Sequence, residues 1–267
     1  MKKPTTIYPS IHNLTKIVYQ IPNQKMQPSL AEIRERLSKL ARVRKAQHSK
    51  KYLKSPYSFY GIPVPELRKI AKELKQPGIL GAYRMFDALW LSNNHEEMSL
   101  ALYVLENYRK FYDKETWNFV MQRLEKARTW DHVDEISSKI IGIMLLNNPN
   151  YYNEIISLST SKNPWFRRAS IVSTYPLIKK DKLQLTFRLA ETLIYDNDIY
   201  VQKGAGWMLR EAGKRNRLET RQFILMHKNM KPFALSYATE KMPEVKAQIK
   251  EERKNNKEKI HSPQINP

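Results

Sequence analysis

The sequence of 267 residues contains no cysteine and only seven glycines. Without cysteine there can be no disulfide, no cysteine-ligated zinc or iron–sulfur cluster, and no thiol nucleophile. The zinc deaminases are excluded as well, because their metal needs cysteine ligands. The scarcity of glycine argues against glycine-rich phosphate loops and against turn-dense β folds. No run of 18 apolar residues occurs and no apolar secretory signal opens the chain, so we expect no membrane span and a cytoplasmic protein.

Acidic residues are also scarce, since 26 Asp and Glu face 47 Lys and Arg and the formal net charge is +21. Such an excess of one sign repels itself unless a polyanion neutralises it, and nucleic acid is the commonest polyanionic partner. An anionic membrane surface is the competing interpretation. The chain is 41% hydrophobic, which is enough for a core, and its abundant Leu, Ala, Glu, Lys and Arg favour helices.

Three regions differ in composition. Residues 1–27 hold no acidic residue, four lysines and three prolines, and we interpret them as a basic extended arm or as disordered padding. Residues 28–247 are predicted to form the folded domain. Residues 248–267 have few apolar side chains, which is typical of a solvated helix end followed by a basic tail.

From residue 28 onward the pattern is helical. Ser29 and Glu32 form a capping box, and apolar residues follow at helical spacing. No stretch shows sustained strand alternation, so we expect roughly ten to twelve short helices. Turn signals separate them at Gly61-Ile62-Pro63, Pro77-Gly78, Asn93-Asn94, Asn148-Pro149, Asn163-Pro164 and Asp196-Asn197-Asp198.

A weak repeat supports a specific all-α architecture. Trp90, Trp130, Trp165 and Trp207 lie 40, 35 and 42 residues apart, close to the period of HEAT-like helix pairs, although Trp117 does not fit. We therefore predict an all-α fold, a curved solenoid of HEAT-like helical repeats. Its concave face is the natural surface for a nucleic-acid duplex.

The segment 199–214 combines a core stripe with an unusual outer face. The stripe at helical spacing is formed by Val201, Ala205, Met208 and Ala212. Trp207 lies off that stripe, on the same side as Lys203, Arg210 and Lys214. This arrangement indicates an aromatic plate within a phosphate-binding surface. The alternative is a tryptophan packed against the next repeat with charges that merely flank it.

A second candidate is Trp130-Asp131-His132-Val133-Asp134. In a helix that begins here, Trp130 and Asp134 lie one turn apart on one side. The alternative makes Asp131 the N-cap and Asp134 a capping carboxylate in the first turn. We interpret His132 as a surface helix residue rather than as an acid or base.

Two further clusters fit phosphate contacts. Arg167 and Arg168 follow a helix start at Asn163-Pro164, where backbone amides and guanidinium groups both bind oxyanions. Their alternative is a structural pair that bridges repeats. Tyr52 stands within the basic run 50–54, which fits a DNA contact or, alternatively, a core tyrosine in a solvated charge run.

Together these motifs resemble the HEAT-like-repeat DNA alkylation repair glycosylases of the AlkD type. The resemblance spans residues 28–245, and its motifs occur in the same order and spacing. They are Phe59-Tyr60-Gly61-Ile62-Pro63, Trp130-Asp131-x-Val133-Asp134, Trp165-x-x-Arg168-Ala169, Gln202-Lys203-x-x-Gly206-Trp207-x-Leu209-Arg210-Glu211 and Leu235-Ser236-Tyr237-Ala238-Thr239-Glu240-Lys241. Thr129 stands where some members carry another aromatic residue.

The resemblance implies a monofunctional glycosylase that removes N3- and N7-alkylated purines from duplex DNA without drawing the base into a pocket. It implies that Trp130, Asp134 and Trp207 form the catalytic cleft. It further implies that Arg168 and Tyr52 contact the DNA. The chemistry requires no metal or other cofactor, and a monomer is expected. The rival function is that of a HEAT-repeat protein that binds DNA structurally and does no catalysis.

Overall fold

The computed structural model of the protein describes residues 28–261, so the predicted basic arm 1–27 and the end of the predicted tail lie outside the described residues. Over the described chain there is no β-sheet, and one isolated bridge joins Ser58 to Asn94. The predicted all-α class is therefore confirmed. The described part of the chain holds sixteen α-helical segments rather than ten to twelve, because several turns divide what the sequence pattern joins.

The helices follow one another with short connections. The first half comprises α1 Leu30–Lys39, α2 Val43–Leu53, α3 Val64–Glu73, α4 Gly78–Trp90, α5 His95–Glu106, α6 Lys114–Leu124, α7 Trp130–Glu135 and α8 Gly142–Asn147. The second half comprises α9 Tyr152–Leu158, α10 Pro164–Val172, α11 Tyr175–Ile178, α12 Gln184–Leu193, α13 Ile199–Gly213, α14 Arg217–Met226, α15 Pro232–Ala238 and α16 Pro243–His261. Helices that are adjacent or next-but-one along the chain pack on one another, notably α4 on α5, α12 on α13 and α13 on α15, as in a helical-repeat array.

The local signals that set these boundaries are the predicted ones. The Ser29–Glu32 capping box is present, and Asn94, Asn163 and Asp198 cap α5, α10 and α13 through their side chains. The turn before α3 has an additional support, because the buried Glu96 carboxylate accepts hydrogen bonds from three successive backbone amides at residues 60–62. The Glu96 carboxylate thus pairs backbone amides that would otherwise be buried without a hydrogen-bond partner.

The core runs through the whole array as one cluster of buried apolar side chains. The predicted stripe of α13, with Val201, Ala205, Met208 and Ala212, is fully buried. Trp90 and Trp117 are buried as well, and Trp117 stacks on Tyr151 at 4.1 Å between ring centroids. These two tryptophans are therefore core residues.

At the C-terminal end, α16 continues across residue 248, where the sequence predicts the start of a tail. Ile249 is fully buried, and Arg221 and Lys228 of the α14 region bind Gln248 and Glu252 at 3.1 and 2.9 Å. The first residues beyond 247 thus pack on the domain. No helix of residues 28–261 combines the length and the apolar character needed to cross a lipid bilayer.

Candidate active site

A cleft of about 390 Å³ opens where α7, α10 and α13 meet, with α2 and α15 at its sides. All the predicted site residues except Arg167 and Lys214 line it. The full lining is Tyr52, Lys54, Trp130, Asp134, Arg168, Ile199, Tyr200, Lys203, Trp207, Arg210 and Tyr237. Residues from five helices, spread over most of the domain, therefore meet in one open site.

The helix that carries Asp134 begins at Trp130, and Thr129 is its N-cap residue without a side-chain cap. Trp130 and Asp134 consequently lie one turn apart, as predicted. The alternative that Asp131 caps the helix and Asp134 assists in its first turn is wrong. Asp134 lies beyond the first turn, and its carboxylate is used for a contact between helices.

That contact is a bidentate ion pair with Arg168 of α10. The Arg168 Nε and Nη2 atoms donate to the two Asp134 oxygens at 2.8 and 2.7 Å, and Nη1 donates to the Tyr200 carbonyl. Asp134 is 9% exposed and Arg168 is 5% exposed. Burial raises the pKa of Asp134, and the Arg168 guanidinium limits that rise. Arg168 therefore fixes the carboxylate in orientation and favours its ionised form.

Two glycines of α13 make this arrangement possible. A Cβ at Gly204 would lie 3.2 Å from Arg168 Nη1, so its absence leaves room for the guanidinium between α10 and α13. A Cβ at Gly206 would lie 2.5 Å from the Ala234 carbonyl oxygen and 2.7 Å from Tyr237 Cβ. Gly206 thus lets α15 approach α13 closely and places Tyr237 at the wall of the cleft.

Aromatic rings surround the carboxylate. Trp130 and Trp207 are both partly exposed. Trp130 meets Tyr52 edge-on at 6.0 Å between ring centroids, and Tyr52 itself is 66% exposed. Trp207 leans against Tyr175 at 5.8 Å. Trp207 therefore both packs against a neighbouring helix, through Tyr175, and lines the cleft. The two interpretations of this residue, as a packing residue and as part of the binding surface, are compatible.

The basic residues divide into two groups. Lys203 lies over the Phe233 ring at 5.0 Å and lines the cleft beside Lys54 and beside Arg210, which pairs with Glu240. Arg167 instead pairs with Asp196 at 2.6 Å, and Lys214 pairs with Glu211 at 2.6 Å. Neither lies in the cleft lining. Arg167 has the bridging geometry that the sequence allowed as its alternative.

Four lining residues were not singled out from the sequence: Lys54, Ile199, Tyr200 and Tyr237. Lys54 stood in the basic run beside Tyr52, and Tyr237 stood in the last motif of the resemblance, so each carried a weak signal. Ile199 and Tyr200 carried none, because their place at the cleft depends on how α13 meets α10.

His132 is not a surface residue, and that interpretation is wrong. The ring is 2% exposed and stacks on His95 at 4.3 Å between centroids, and His95 in turn stacks on Phe59. The Nε2 atom lies 3.0 Å from Ser99 Oγ, and Nδ1 lies 3.2 Å from Thr129 Oγ1. The buried Thr129 side chain thus helps to hold the imidazole in place.

Asp131 completes this group by a 2.8 Å hydrogen bond to His95 Nε2. Possible ligand atoms of His95, Asp131 and His132 lie within 4.8 Å of one another, close enough to share a metal ion. However, His95 Nε2, both ring nitrogens of His132 and both Asp131 oxygens are engaged in hydrogen bonds, and the two imidazole planes are nearly parallel at 20°. Stacked rings direct their lone pairs side by side rather than towards one point. The group therefore acts as a polar brace between α5 and α7.

The brace predicts a specific loss of stability in acid. Burial and the neighbouring His95 lower the pKa of His132 to about 3, from a usual 6.5. Between these values only the unfolded chain takes up the proton, so stability is full above 6.5 and falls as the pH decreases. One such group changes the free energy of unfolding by at most about 1.4 kcal/mol per pH unit.

Urea unfolding at a series of pH values measures this slope. His132→Gln should unfold with a weaker pH dependence than wild type over this interval, whereas the control His48→Gln, at an exposed position on α2, should keep the wild-type slope. Parallel curves for wild type and His132→Gln would contradict a neutral buried imidazole.

Immediately after α7 the helix widens into a π-helical turn, Ile136–Ile141, before it continues as α8. Ser137 and Ser138 donate to the carbonyls of Val133 and Asp134 at 2.6 and 2.7 Å. Hydroxyls bonded in this way weaken and bend a helix, and π turns occur often at functional sites. The distortion begins two residues after Asp134 and therefore lies directly beside the cleft.

Comparisons with known proteins agree with the family that the sequence motifs resemble. The family model described as DNA alkylation repair enzyme matches residues 33–242. A solved structure, a predicted DNA alkylation repair enzyme from Enterococcus faecalis, superimposes with a TM-score of 0.65 at 19% identity, covering 76% of this chain and 96% of that one. At this identity the likeness shows the fold. No curated protein matches the chain in sequence. Because the family model covers well over half of the chain, the protein belongs to the DNA alkylation repair enzyme family.

Proposed function

We propose that the protein is a monofunctional DNA glycosylase that excises cationic N3- and N7-alkylated purines, such as 3-methyladenine and 7-methylguanine, in base excision repair. The observation that carries this proposal is the Asp134 carboxylate, held by Arg168 in an open cleft between Trp130 and Trp207. The lysines of the same cleft, Lys54 and Lys203, suit a DNA backbone.

The reaction needs little from an acid, because the alkylated purine already carries a positive charge. The C1′–N9 bond breaks, and its electron pair neutralises the base as it leaves. Positive charge then develops on the deoxyribose, and water adds to C1′ and loses a proton. A fixed carboxylate stabilises that developing charge, as in glycosidases, and orients the water. Asp134 is suited to this role because both its oxygens are already oriented by Arg168.

Trp130 and Trp207 supply the second contribution. Indole faces attract cations by about 0.5–2 kcal/mol each, and the attraction accelerates the reaction if it is stronger in the transition state than in the ground state. Both rings belong to helices packed in the domain, so little reorganisation is needed. Among the remaining predicted residues, Tyr52 and Lys203 line the same cleft and suit phosphate contacts. Arg210 lines it too, but its guanidinium already pairs with Glu240, and Arg167 and Lys214 lie apart from the cleft.

The open shape of the cleft supports recognition in duplex DNA without base flipping. A lesion approached from the side needs no closed pocket, so bulky alkyl groups should be tolerated. The proposed mechanism uses no cofactor, and no lysine is distinguished as a Schiff-base nucleophile. We further propose that the protein acts as a monomer in the cytoplasm, on the nucleoid.

A second candidate function is structural DNA binding without catalysis. The observation that favours it is the same ion pair, since a buried Asp134–Arg168 contact between α7 and α10 is also what a purely structural bridge would form. It does not explain why two partly exposed tryptophans flank that bridge.

The test is the release of free base from duplex DNA that contains 7-methylguanine. We expect release of 7-methylguanine, no release of undamaged guanine, and intact abasic strands that break only after alkali treatment. Strand breakage without alkali would indicate a lyase. Duplex binding with no base release would favour the structural candidate.

A further inference from the structure

A second concave site of about 300 Å³ lies beside the cleft and is lined by four basic residues: Arg109, Lys139, Lys179 and Lys180. Lys139 belongs to the π-helical turn, Arg109 follows α5, and the two other lysines follow α11. We propose that this site, the basic pocket, binds phosphates of the DNA strand that carries the lesion, a few nucleotides from the damaged base. This inference rests on the proposed function for the identity of the strand.

The charges of the basic pocket are largely uncompensated. Within residues 28–253, Arg109, Lys139 and Lys180 form no ion pair, and Lys179 approaches Glu211 only to 3.9 Å. Elsewhere in the domain most arginines are engaged by carboxylates, as Arg123 is by Asp87. Three cations without such partners, with Lys179 beside them, repel one another, which favours an anion between them.

One carboxyl group does line the basic pocket, and its surroundings reduce its charge. Burial and the neighbouring Glu135 raise the pKa of Glu106. When Glu106 is ionised, its Oε2 atom accepts from Arg68 at 3.1 Å, so its charge is compensated outside the basic pocket. Its Oε1 atom is buried and has no hydrogen-bond partner among the described residues. A carboxyl that is protonated or paired with Arg68 repels phosphate little, and the field of the basic pocket therefore stays positive.

The position of the basic pocket fits a continuous strand. Ser138 lines it one helical turn beyond Asp134, and Tyr175 lines it while contacting Trp207 of the cleft at 5.8 Å. One to two turns of helix correspond to about 5–11 Å. A DNA strand rises by about 3.4 Å per nucleotide along the duplex axis, so a phosphate within about three nucleotides of the lesion lies at this distance.

The salt dependence of duplex binding tests this. In the variant Lys139→Ala/Lys180→Ala, the slope of log K against log salt, measured between about 50 and 200 mM, should fall by about 0.9 for each lost contact, so by about 1.8. The charge-conserving variant Lys139→Arg/Lys180→Arg should keep the wild-type slope. The matched control is Lys72→Ala/Lys75→Ala, which removes two exposed lysines that line neither the cleft nor the basic pocket, and it should keep the wild-type slope.

The outcomes separate this inference from the proposed function. Equal slopes for the two alanine variants would overturn the basic pocket as a phosphate site, even if wild type releases base. A reduced slope in the pocket variant alone would support it. If wild type then released no 7-methylguanine, the glycosylase proposal would fail while the phosphate site remained.

Discussion

Replacing Asp134 with asparagine should lower the rate of 7-methylguanine release by about 10²–10³-fold, the usual effect of removing one preorganised electrostatic stabiliser. The substitution keeps the size of the side chain and one oxygen that accepts from Arg168, but it removes the negative charge beside the sugar. Duplex binding should stay equal or become tighter, because a carboxylate no longer repels the phosphates. Single-turnover base release and equilibrium binding measure the two effects separately.

Glu135→Gln is the matched control for this variant. Glu135 is the next residue of α7, but it pairs with Arg68 and does not line the cleft. Its replacement also removes one carboxylate from the helix, and base release should stay near the wild-type rate. Equal activity of Asp134→Asn and wild type would remove the carboxylate from the mechanism. The ion pair with Arg168 would then be structural only.

Much of the fold could be predicted because its signals are local. A capping box needs only Ser29 and Glu32, and the buried stripe of α13 follows from apolar spacing alone. The number of helices was underestimated because some short connections, such as residues 125–129 between α6 and α7, contain no glycine or proline. The π-helical turn was not predicted either, since it depends on how Ser137 and Ser138 bond to the preceding turn.

The site was predictable only where residues lie on one helix or match a motif. Trp130 and Asp134 are one turn apart in any helix that contains both, and Trp207 stands clear of its core stripe. The partner of Asp134 was not predictable, because Arg168 lies 34 residues further along the chain and meets it through the packing of α7 on α10. The burial of His132 also depends on a distant residue, His95 of α5.

Arg168→Met should have the largest effect on stability, lowering the free energy of unfolding by about 3–5 kcal/mol. The variant leaves the Asp134 carboxylate buried without its counter-ion, and the Tyr200 carbonyl loses a donor. The matched control Arg123→Met removes a similar guanidinium–carboxylate contact, but its partner Asp87 is 42% exposed, so water can replace the lost contact and the cost should be smaller. Denaturant unfolding of both variants gives the comparison.

The double variant Arg168→Met/Asp134→Leu should recover most of that loss, because apolar residues of similar volume replace a buried ion pair at little net cost. Base release should be absent from both the single and the double variant, since neither holds an oriented carboxylate at the cleft. Recovery of stability without activity would show that the ion pair serves the site rather than the fold. A double variant as unstable as Arg168→Met would instead trace the cost to lost packing around the guanidinium.

The same variants also test whether Arg168 contacts the DNA backbone directly. The resemblance implies a backbone contact, whereas its Nε, Nη1 and Nη2 atoms already donate within the protein and the side chain is 5% exposed. If Arg168 acts through Asp134, the double variant should bind duplex DNA with the wild-type salt slope. A direct phosphate contact would lower that slope by about 0.9. Because each guanidinium nitrogen is already engaged, we expect the slope to be unchanged and assign Arg168 to positioning the carboxylate.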